Sequence, residues 1–141
     1  MHYKILVVDD SDDTRDMMAK LLELESFDVV TAEDGYDGLD VANAEQPDLI
    51  ITDINMPNLN GIEMIKELRR RTAFEQIPIM AITAYGNGVA REALDAGANR
   101  ATTKPVQFVS LLGEIRDLLV GLSPHNPANS GDKNDNGLDT D

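Results

Sequence analysis

Short β-branched apolar runs alternate with stretches of helical periodicity along most of the chain. The runs predict five strands, at residues 5–8, 27–31, 49–52, 77–82 and 100–103. Strands separated by helices are joined by right-handed crossovers, which produce a parallel sheet covered on both faces. The first, third and fourth runs are almost continuously apolar, as expected for strands buried on both sides. The pattern therefore predicts an α/β protein.

Five helices are predicted between and after these strands, because apolar residues recur there at spacings of three and four. The first begins at a cap formed by Ser11 or Asp12, the second is ended by Pro47, and the fourth stops at Gly97. The third ends in three arginines, 69–71, where positive charge suits the helix dipole. Ser26 follows the first helix at a position where glycine would fit a left-handed cap better.

Composition limits the classes of function. The formal net charge of −14 at pH 7 argues against a direct nucleic-acid partner, since such surfaces need clustered Lys and Arg. The chain has no cysteine, which excludes disulfides and thiolate metal sites. The apolar run near the N-terminus is too short for a signal peptide or a membrane span. We expect a cytoplasmic protein without a membrane partner.

The composition changes at residue 123. The segment 123–141 holds two Pro, two Gly, four Asn and four Asp but a single Leu. Such a segment cannot bury enough apolar surface to fold. We expect residues 1–122 to form the folded domain and residues 123–141 to be a disordered acidic tail or linker.

Polar side chains stand at the predicted carboxyl ends of four strands. Asp9 and Asp10 follow the first strand, Asp53 the third, Thr83 the fourth and Lys104 the fifth. In an open parallel sheet, ligands bind outside these strand ends. Residues almost a hundred positions apart are thus predicted to meet at one edge of the sheet.

Three carboxylates in one place predict a bound cation, because they cannot all stay ionised without one. A site of oxygen ligands without His or Cys suits Mg²⁺ or Mn²⁺ better than zinc. One or two carboxylates suffice for Mg²⁺, so a remaining carboxylate oxygen can attack phosphorus and form an aspartyl phosphate. The metal ion and the lysine would then balance the charge on the transferred oxygens.

The motifs "VVDD", "TDINMPNLNG", "ITA" and "TKP", in this order, resemble the receiver domain of two-component response regulators over about residues 3–122. The resemblance implies a flavodoxin-like (βα)5 fold, a three-layer sandwich whose strand order is 2-1-3-4-5. It implies a signalling module that catalyses only its own phosphorylation and dephosphorylation, and that is otherwise not an enzyme.

The resemblance also implies a role for each site residue. Asp53 would accept a phosphoryl group from a sensor histidine kinase or a phosphotransfer protein. Asp10 and Asp53 would bind Mg²⁺ directly, Asp9 through water, and Asn55 through its backbone carbonyl.

The remaining implied roles concern the response to phosphorylation. Lys104 and Thr83 would each bind a phosphoryl oxygen, Ala84 would leave the phosphorus accessible, and a cis peptide bond would join Lys104 to Pro105. The fourth helix, fifth strand and fifth helix would contact a downstream protein.

One position departs from the family pattern. Many receivers carry an aromatic residue three positions before the lysine, where this chain has Ala101. We therefore expect the signal to pass through backbone movement of residues 84–88 and the fourth helix, or through another face. Tyr85, together with Asn55, is expected to tune the lifetime of the phosphorylated form.

Three alternative functions differ in what they require. A phosphohydrolase with an aspartyl nucleophile needs a DxDGT-like sequence after the first strand, where this chain has "VDDSDD". A flavin or nucleotide binder needs small and hydroxyl residues there instead of acids. A constitutive binding module of receiver type, never phosphorylated, is consistent with the same residues and stays open at this point.

Overall fold

Five parallel strands form the central sheet in the computed structural model, which describes residues 2–84 and 86–120. The strands are β1 (Lys4–Val8), β2 (Asp28–Ala32), β3 (Leu49–Asp53), β4 (Ile79–Thr83) and β5 (Arg100–Thr103). Their order in the sheet is β2-β1-β3-β4-β5, and every neighbouring pair is parallel. The predicted strand order is confirmed.

Helices cover both faces of the sheet. They are α1 (Asp12–Leu24), α2 (Gly35–Glu45), α3 (Gly61–Arg70), α4 (Asn87–Ala96) and α5 (Phe108–Leu119), with a short 3-10 turn at Thr72–Phe74. Successive side chains of β1 point to opposite faces. Ile5 and Val7 pack with α1 and α5, whereas Leu6 and Val8 pack with α2, α3 and α4. The predicted three-layer sandwich is confirmed.

Two strands begin later than predicted, because the backbone amides of their first predicted residues bond to the preceding helix or turn instead of to a neighbouring strand. The Phe27 amide donates to the Leu22 carbonyl at the end of α1 (3.2 Å), so β2 starts at Asp28 and not at Phe27. The Ile77 amide donates to the carbonyl of Phe74 (3.4 Å) at the 3-10 turn, and proline 78 has no N–H to give. β4 consequently spans residues 79–83 instead of 77–82.

The helix ends largely follow the sequence signals. Ser11 is the cap of α1, and its hydroxyl accepts from the Thr14 amide at 3.3 Å. α2 ends at Glu45, two residues before Pro47, as the proline predicts. Ser26, just past α1, has a φ of 72°, so a residue with a side chain occupies the left-handed region that glycine favours.

Arg69 links the C-terminal ends of α3 and α4. Its guanidinium donates to the carbonyls of Gly97 (3.0 Å) and Phe74 (2.8 Å) and to Oδ1 of Asn99 (3.0 Å). Gly97, the predicted stop of α4, has a φ of 125°, and a Cβ there would lie 2.6 Å from Cγ of Arg69. Arg69, the first of the three arginines, therefore also joins α3 to the segment that follows α4, in addition to its favourable position at the helix dipole.

The N-terminal end of α4 differs from its C-terminal end. Gly86 stands at the cap position and has no side chain to accept a hydrogen bond from the first turn. A Cβ added to Gly86 or Gly88 would meet no neighbouring atom within 4 Å. Gly86 and Gly88 therefore have open space beside them, whereas the C-terminal end of α4 is held by Arg69.

Three predictions fall outside the described residues. They are the extension of the fifth helix to residue 122, the disordered tail at 123–141 and the role of Tyr85. Within the two described ranges, no helix combines the length and the apolar character needed to cross a membrane.

Candidate functional site

Three aspartates meet at the carboxyl edge of the sheet. Asp9, Asp10 and Asp53 each offer one carboxylate oxygen, and these oxygens lie within 4.8 Å of one another. β1 and β3 are neighbours in the sheet, so the residues that follow or end these two strands lie side by side. Asp9 and Asp53 are buried, with 7% and 6% of their surface exposed, whereas Asp10 is exposed. We call these three residues the acid cluster.

Asp53, the last residue of β3, is held on both carboxylate oxygens. Its Oδ2 lies 3.3 Å from Nζ of Lys104, and its Oδ1 accepts from the backbone amide of Asn55 at 3.3 Å. Asp53 and Lys104 therefore meet at one edge of the sheet, as predicted, and they contact each other there. The contact of Asn55 is made by its amide, and the metal role of its carbonyl stays a prediction.

Gly61 brings the start of α3 against the backbone of Asp53. A Cβ at position 61 would lie 2.4 Å from the Asp53 carbonyl oxygen, which no side chain tolerates. The Gly61 amide donates to the Ile54 carbonyl at 2.9 Å, and Asn60 caps the helix through its side chain. The glycine in "NLNG" is therefore required by its close packing against the backbone of Asp53.

Thr83 and Lys104 are joined through the backbone. Thr83 is the last residue of β4 and is fully buried, and it lies one position beyond Ile82, the register partner of Asp53. Its carbonyl accepts from the Lys104 amide at 2.8 Å. The peptide bond between Lys104 and Pro105 is cis, as expected. Both predicted phosphate-binding residues therefore stand at the same edge as the acid cluster.

The electrostatics of Asp9 favour a cation nearby. Burial raises the pKa of the Asp9 carboxyl, and the neighbouring charges of Asp53 and Asp10 raise it further. The Ser11 amide and the Lys104 ammonium act in the opposite direction and lower this pKa. A divalent cation would relieve the repulsion, and a donor set made only of oxygens fits Mg²⁺ or Mn²⁺.

Sequence reasoning missed two residues that hold the acid cluster. The Ser11 amide donates to Oδ1 of Asp9 at 2.8 Å, in addition to the capping role of the Ser11 side chain. The Arg15 guanidinium donates to the backbone carbonyl of Asp9 at 2.8 Å. The spacing of Arg15 three residues after Asp12 indicates an ion pair on the helix, but it does not indicate the contact with Asp9.

An apolar cleft of about 570 Å³ opens beside the acid cluster. One wall is formed by α1 and the other by the segment that follows β5. Its lining includes Met17, Met18 and Leu21 of α1 and Pro105, Val106 and Phe108 after β5, together with Asp9 and Lys104 of the polar site. The polar site is therefore continuous with an apolar surface.

Comparisons with known proteins agree with this site. A family model described as "Response regulator receiver domain" matches residues 5–116. The transcriptional regulatory protein CpxR homolog of Haemophilus influenzae is 38% identical over 117 residues, which cover 82% of this chain and 50% of the relative. The response regulator MprA of Mycobacterium tuberculosis is 35% identical over 131 residues, covering 92% of this chain and 56% of the relative. The chain thus spans about half the length of these curated relatives.

A solved structure extends the likeness to three dimensions. The chemotaxis response regulator CheY4 of Vibrio cholerae superposes with a TM-score of 0.79 at 32% sequence identity. The match covers 84% of this chain and 100% of that one.

Proposed function

The chain belongs to the response regulator receiver domain family, and from this membership we propose that Asp53 accepts a phosphoryl group in a Mg²⁺-dependent reaction. The donor is a phosphohistidine on a sensor histidine kinase or a phosphotransfer protein. The phosphorylated form switches protein–protein interactions. The module is a signalling domain, and the only reactions it catalyses are its own phosphorylation and dephosphorylation.

The observation that carries this proposal is the contact between Lys104 and Asp53, a member of the acid cluster. A buried acid beside two others and a lysine has both a nucleophilic oxygen and a cation for the incoming charge. Structural ion pairs need one acid and one base, so the additional carboxylates of Asp9 and Asp10 favour a reactive site.

The transfer is a displacement at phosphorus. A carboxylate oxygen of Asp53 forms a new P–O bond as the P–N bond of the phosphohistidine breaks. The bonding electrons stay on the imidazole nitrogen, which takes up a proton from solvent. Lys104 then exchanges its carboxylate partner for a phosphoryl oxygen, because the negative charge now lies there.

The acid cluster would hold the metal ion. Asp10 and Asp53 would bind it directly, Asp9 would act through water, and the Asn55 carbonyl would complete the protein ligands. When bound, Mg²⁺ neutralises charge on the phosphoryl oxygens and acts as a Lewis acid.

Switching depends on the coupling of Thr83 to Lys104. The Thr83 hydroxyl turns to donate to a second phosphoryl oxygen, and Ala84 leaves room for the group. Moving a two-state population from roughly 1:99 to 99:1 takes about 5.5 kcal/mol. A charge-assisted hydrogen bond stabilises by about 1.5–3 kcal/mol, so the sum of two such bonds can reach this value.

The downstream partner is a protein that contacts the face formed by α4, β5 and α5. Val109 on α5 and Leu94 on α4 support this choice, because 84% and 41% of their surfaces are exposed. Ala101 on β5 offers no aromatic side chain to relay the change. The backbone of the segment before α4 and α4 itself carry it instead. The domain acts in the cytoplasm and contacts neither nucleic acid nor membrane directly.

The phosphodonor docks over the apolar cleft. Phosphorus must reach the Asp53 carboxylate, so the donor surface has to cover the residues around it. The cleft beside Asp9 and Lys104 provides apolar area for that contact. An amphipathic helix that carries the phosphohistidine fits such a cleft.

Intact-mass spectrometry after incubation with a small acyl phosphate and Mg²⁺ tests the proposal. The wild-type chain is expected to gain one phosphoryl group, Asp53→Asn to gain none, and Asp95→Asn to behave as wild type. Asp95 is the matched control, an exposed acid on α4. A wild-type chain that gains no mass would favour the alternative, a constitutive binding module that is never phosphorylated.

A further inference from the structure

Arg15 is a single base among acids at the start of α1. It is the only Lys or Arg between Lys4 and Lys20, a stretch that holds five aspartates, at positions 9, 10, 12, 13 and 16. Yet its side chain is only 15% exposed, which is unusual for an arginine on a first helical turn. A guanidinium held this far from solvent is placed by specific partners.

The two terminal nitrogens of the Arg15 guanidinium contact two different parts of the fold, the turn after β1 and the first turn of α1. NH1 donates to the backbone carbonyl of Asp9 at 2.8 Å, and NH2 pairs with the carboxylate of Asp12. Asp12 lies in the first turn of α1, whereas Asp9 immediately follows β1. Arg15 therefore ties the helix to the turn that carries the acid cluster.

The contact at Asp9 completes the fixation of that residue. The Asp9 amide donates to the Ala32 carbonyl at 3.1 Å, and the Asp9 carboxylate accepts from the Ser11 amide at 2.8 Å. Arg15 holds the third polar group, the carbonyl. Because the peptide unit is planar, an Asp9 carbonyl with a fixed direction also fixes the amide nitrogen of Asp10. The backbone position from which the exposed Asp10 carboxylate extends is thereby fixed.

We propose that Arg15 is a positioning residue for the cation site, acting through the Asp9 carbonyl on the orientation of Asp10. This inference rests on the proposed function, since it concerns the affinity of the acid cluster for Mg²⁺. Groups that orient metal ligands without touching the metal typically alter its affinity by about 10–100-fold.

A purely electrostatic role of Arg15 predicts the opposite sign. A cation near the acid cluster opposes the binding of another cation, so removing it would strengthen Mg²⁺ binding. Loss of the hydrogen bond to Asp9 would weaken binding, because Asp10 would sample more orientations. The direction of the change therefore separates positioning from charge.

Calorimetric titration of Mg²⁺ into wild type, Arg15→Met and Arg91→Met tests the proposal. We expect the dissociation constant of Arg15→Met to rise about tenfold. Arg91→Met removes the same charge from an exposed arginine on α4, 4.0 Å from Asp95, and should leave the constant unchanged. Unchanged or tighter binding by Arg15→Met would overturn the inference.

Hydrogen exchange in metal-free buffer gives a second readout. The amides of Asp10 and Ser11 should exchange faster in Arg15→Met, while those in the middle of β3 should not change. Equal exchange at Asp10 and Ser11 in both proteins would refute the positioning role. If Arg15→Met does not fold, Arg15→Lys keeps the charge but lacks the two-pronged donor, and the same directions are expected.

The two proposals fail in different ways. A wild-type chain that binds no Mg²⁺ would count against the proposed function. Faster exchange at Asp10 and Ser11 would, even then, leave the positioning by Arg15 in place.

Discussion

Nζ of Lys104 lies 3.3 Å from Oδ2 of Asp53, so a cation from the loop after β5 contacts a carboxylate at the end of β3. About a third of the lysine side chain is exposed, whereas the carboxylate is buried. The lysine side chain therefore has room to adjust its position, because about a third of it borders solvent.

Replacing Lys104 with methionine should slow phosphorylation without unfolding the domain. We expect the phosphorylation rate of Asp53 with a small acyl phosphate to fall about a hundredfold, since one stabilising donor is lost. The free energy of unfolding should change by less than about 1 kcal/mol, because a partly exposed ion pair stabilises little. A time course of intact mass and chemical denaturation measure the two quantities.

Lys4 provides the control for this change. It is a lysine of similar exposure that pairs with Glu45 at 3.0 Å. It stands at the amino end of β1, whereas the acid cluster lies at the carboxyl ends of the strands. Lys4→Met should leave phosphorylation unchanged. Equal rates in both variants would contradict the role given to Lys104.

Replacing Met17 with glutamine should slow phosphoryl transfer from a protein donor but not from a small-molecule donor. Met17 lines the apolar cleft and is 55% exposed, so a polar side chain there weakens docking without disturbing the core. We expect about tenfold slower transfer from a phosphohistidine protein and an unchanged rate with a small acyl phosphate. Leu24→Gln, on an exposed position of α1 outside the cleft, should affect neither. The same slowing with both donors would argue against a docking role.

Asp34 should make stability depend on pH in the acid range. Backbone donation from Asp37, and then the Asn58 side chain, hold the pKa of the Asp34 carboxyl below its ordinary value. The unfolded chain therefore binds the proton more readily. The contribution of Asp34 is fully present above the ordinary carboxyl pKa and is lost as pH falls through the lowered folded-state pKa.

Asp34→Asn tests this pH dependence, because asparagine keeps the capping acceptor but has no charge to titrate. We expect its free energy of unfolding to fall less steeply between neutral and acid pH than that of wild type. Asp34→Ala should cost about 1 kcal/mol at neutral pH through loss of the cap of α2. Urea denaturation across the pH range measures both, and parallel curves for wild type and Asp34→Asn would disprove the assignment.

Two glycine-to-alanine changes should have opposite signs. Gly61→Ala places a Cβ 2.4 Å from the Asp53 carbonyl, which we expect to cost about 1–3 kcal/mol and to slow phosphorylation. Gly113→Ala lies within α5 with open space around it, and should stabilise by about 0.5–1 kcal/mol. Chemical denaturation compares them. Equal effects would mean that position 61 is not crowded.

Ser26→Gly should stabilise the domain by about 0.5–1 kcal/mol. The left-handed backbone of Ser26 is unfavourable for a residue with a Cβ, and glycine removes that cost at some loss of chain entropy. Ser26→Ala keeps the Cβ and should give no gain. A gain for alanine equal to that for glycine, measured by thermal unfolding, would show that backbone strain is not the cause.

The pattern of strands and helices predicted the layers and the edge of the sheet that carries the acid cluster, whereas the strand order followed from the resemblance to receiver domains. Asp9, Asp10 and Asp53 were placed correctly because strand ends are marked by an abrupt change from apolar to charged residues. The position of Lys104 was predicted for a related reason, since this residue directly follows the edge strand β5 in the chain. These signals depend on the order of residues and not on packing.

Other features depend on which of several partners a group selects in three dimensions. Phe27 belongs to an apolar run, but its amide bonds to Leu22 and so ends the helix instead of starting the strand. Arg15 and Arg69 have long side chains with several acceptors within reach, and their choice of backbone carbonyls leaves no trace in residue spacing. Such contacts become visible only once the fold brings the acceptors near.

The two ends of α4 are held unequally. Arg69 holds the C-terminal end through the Gly97 carbonyl, whereas the open space beside Gly86 and Gly88, near Thr83, would admit a small shift of the N-terminal end. Ten residues of helix are about 15 Å long, so a tilt of about 4° displaces the N-terminal end by about 1 Å. If phosphorylation moves the Thr83 hydroxyl as proposed, a displacement of that size at the strand end would alter the surface that α4 presents.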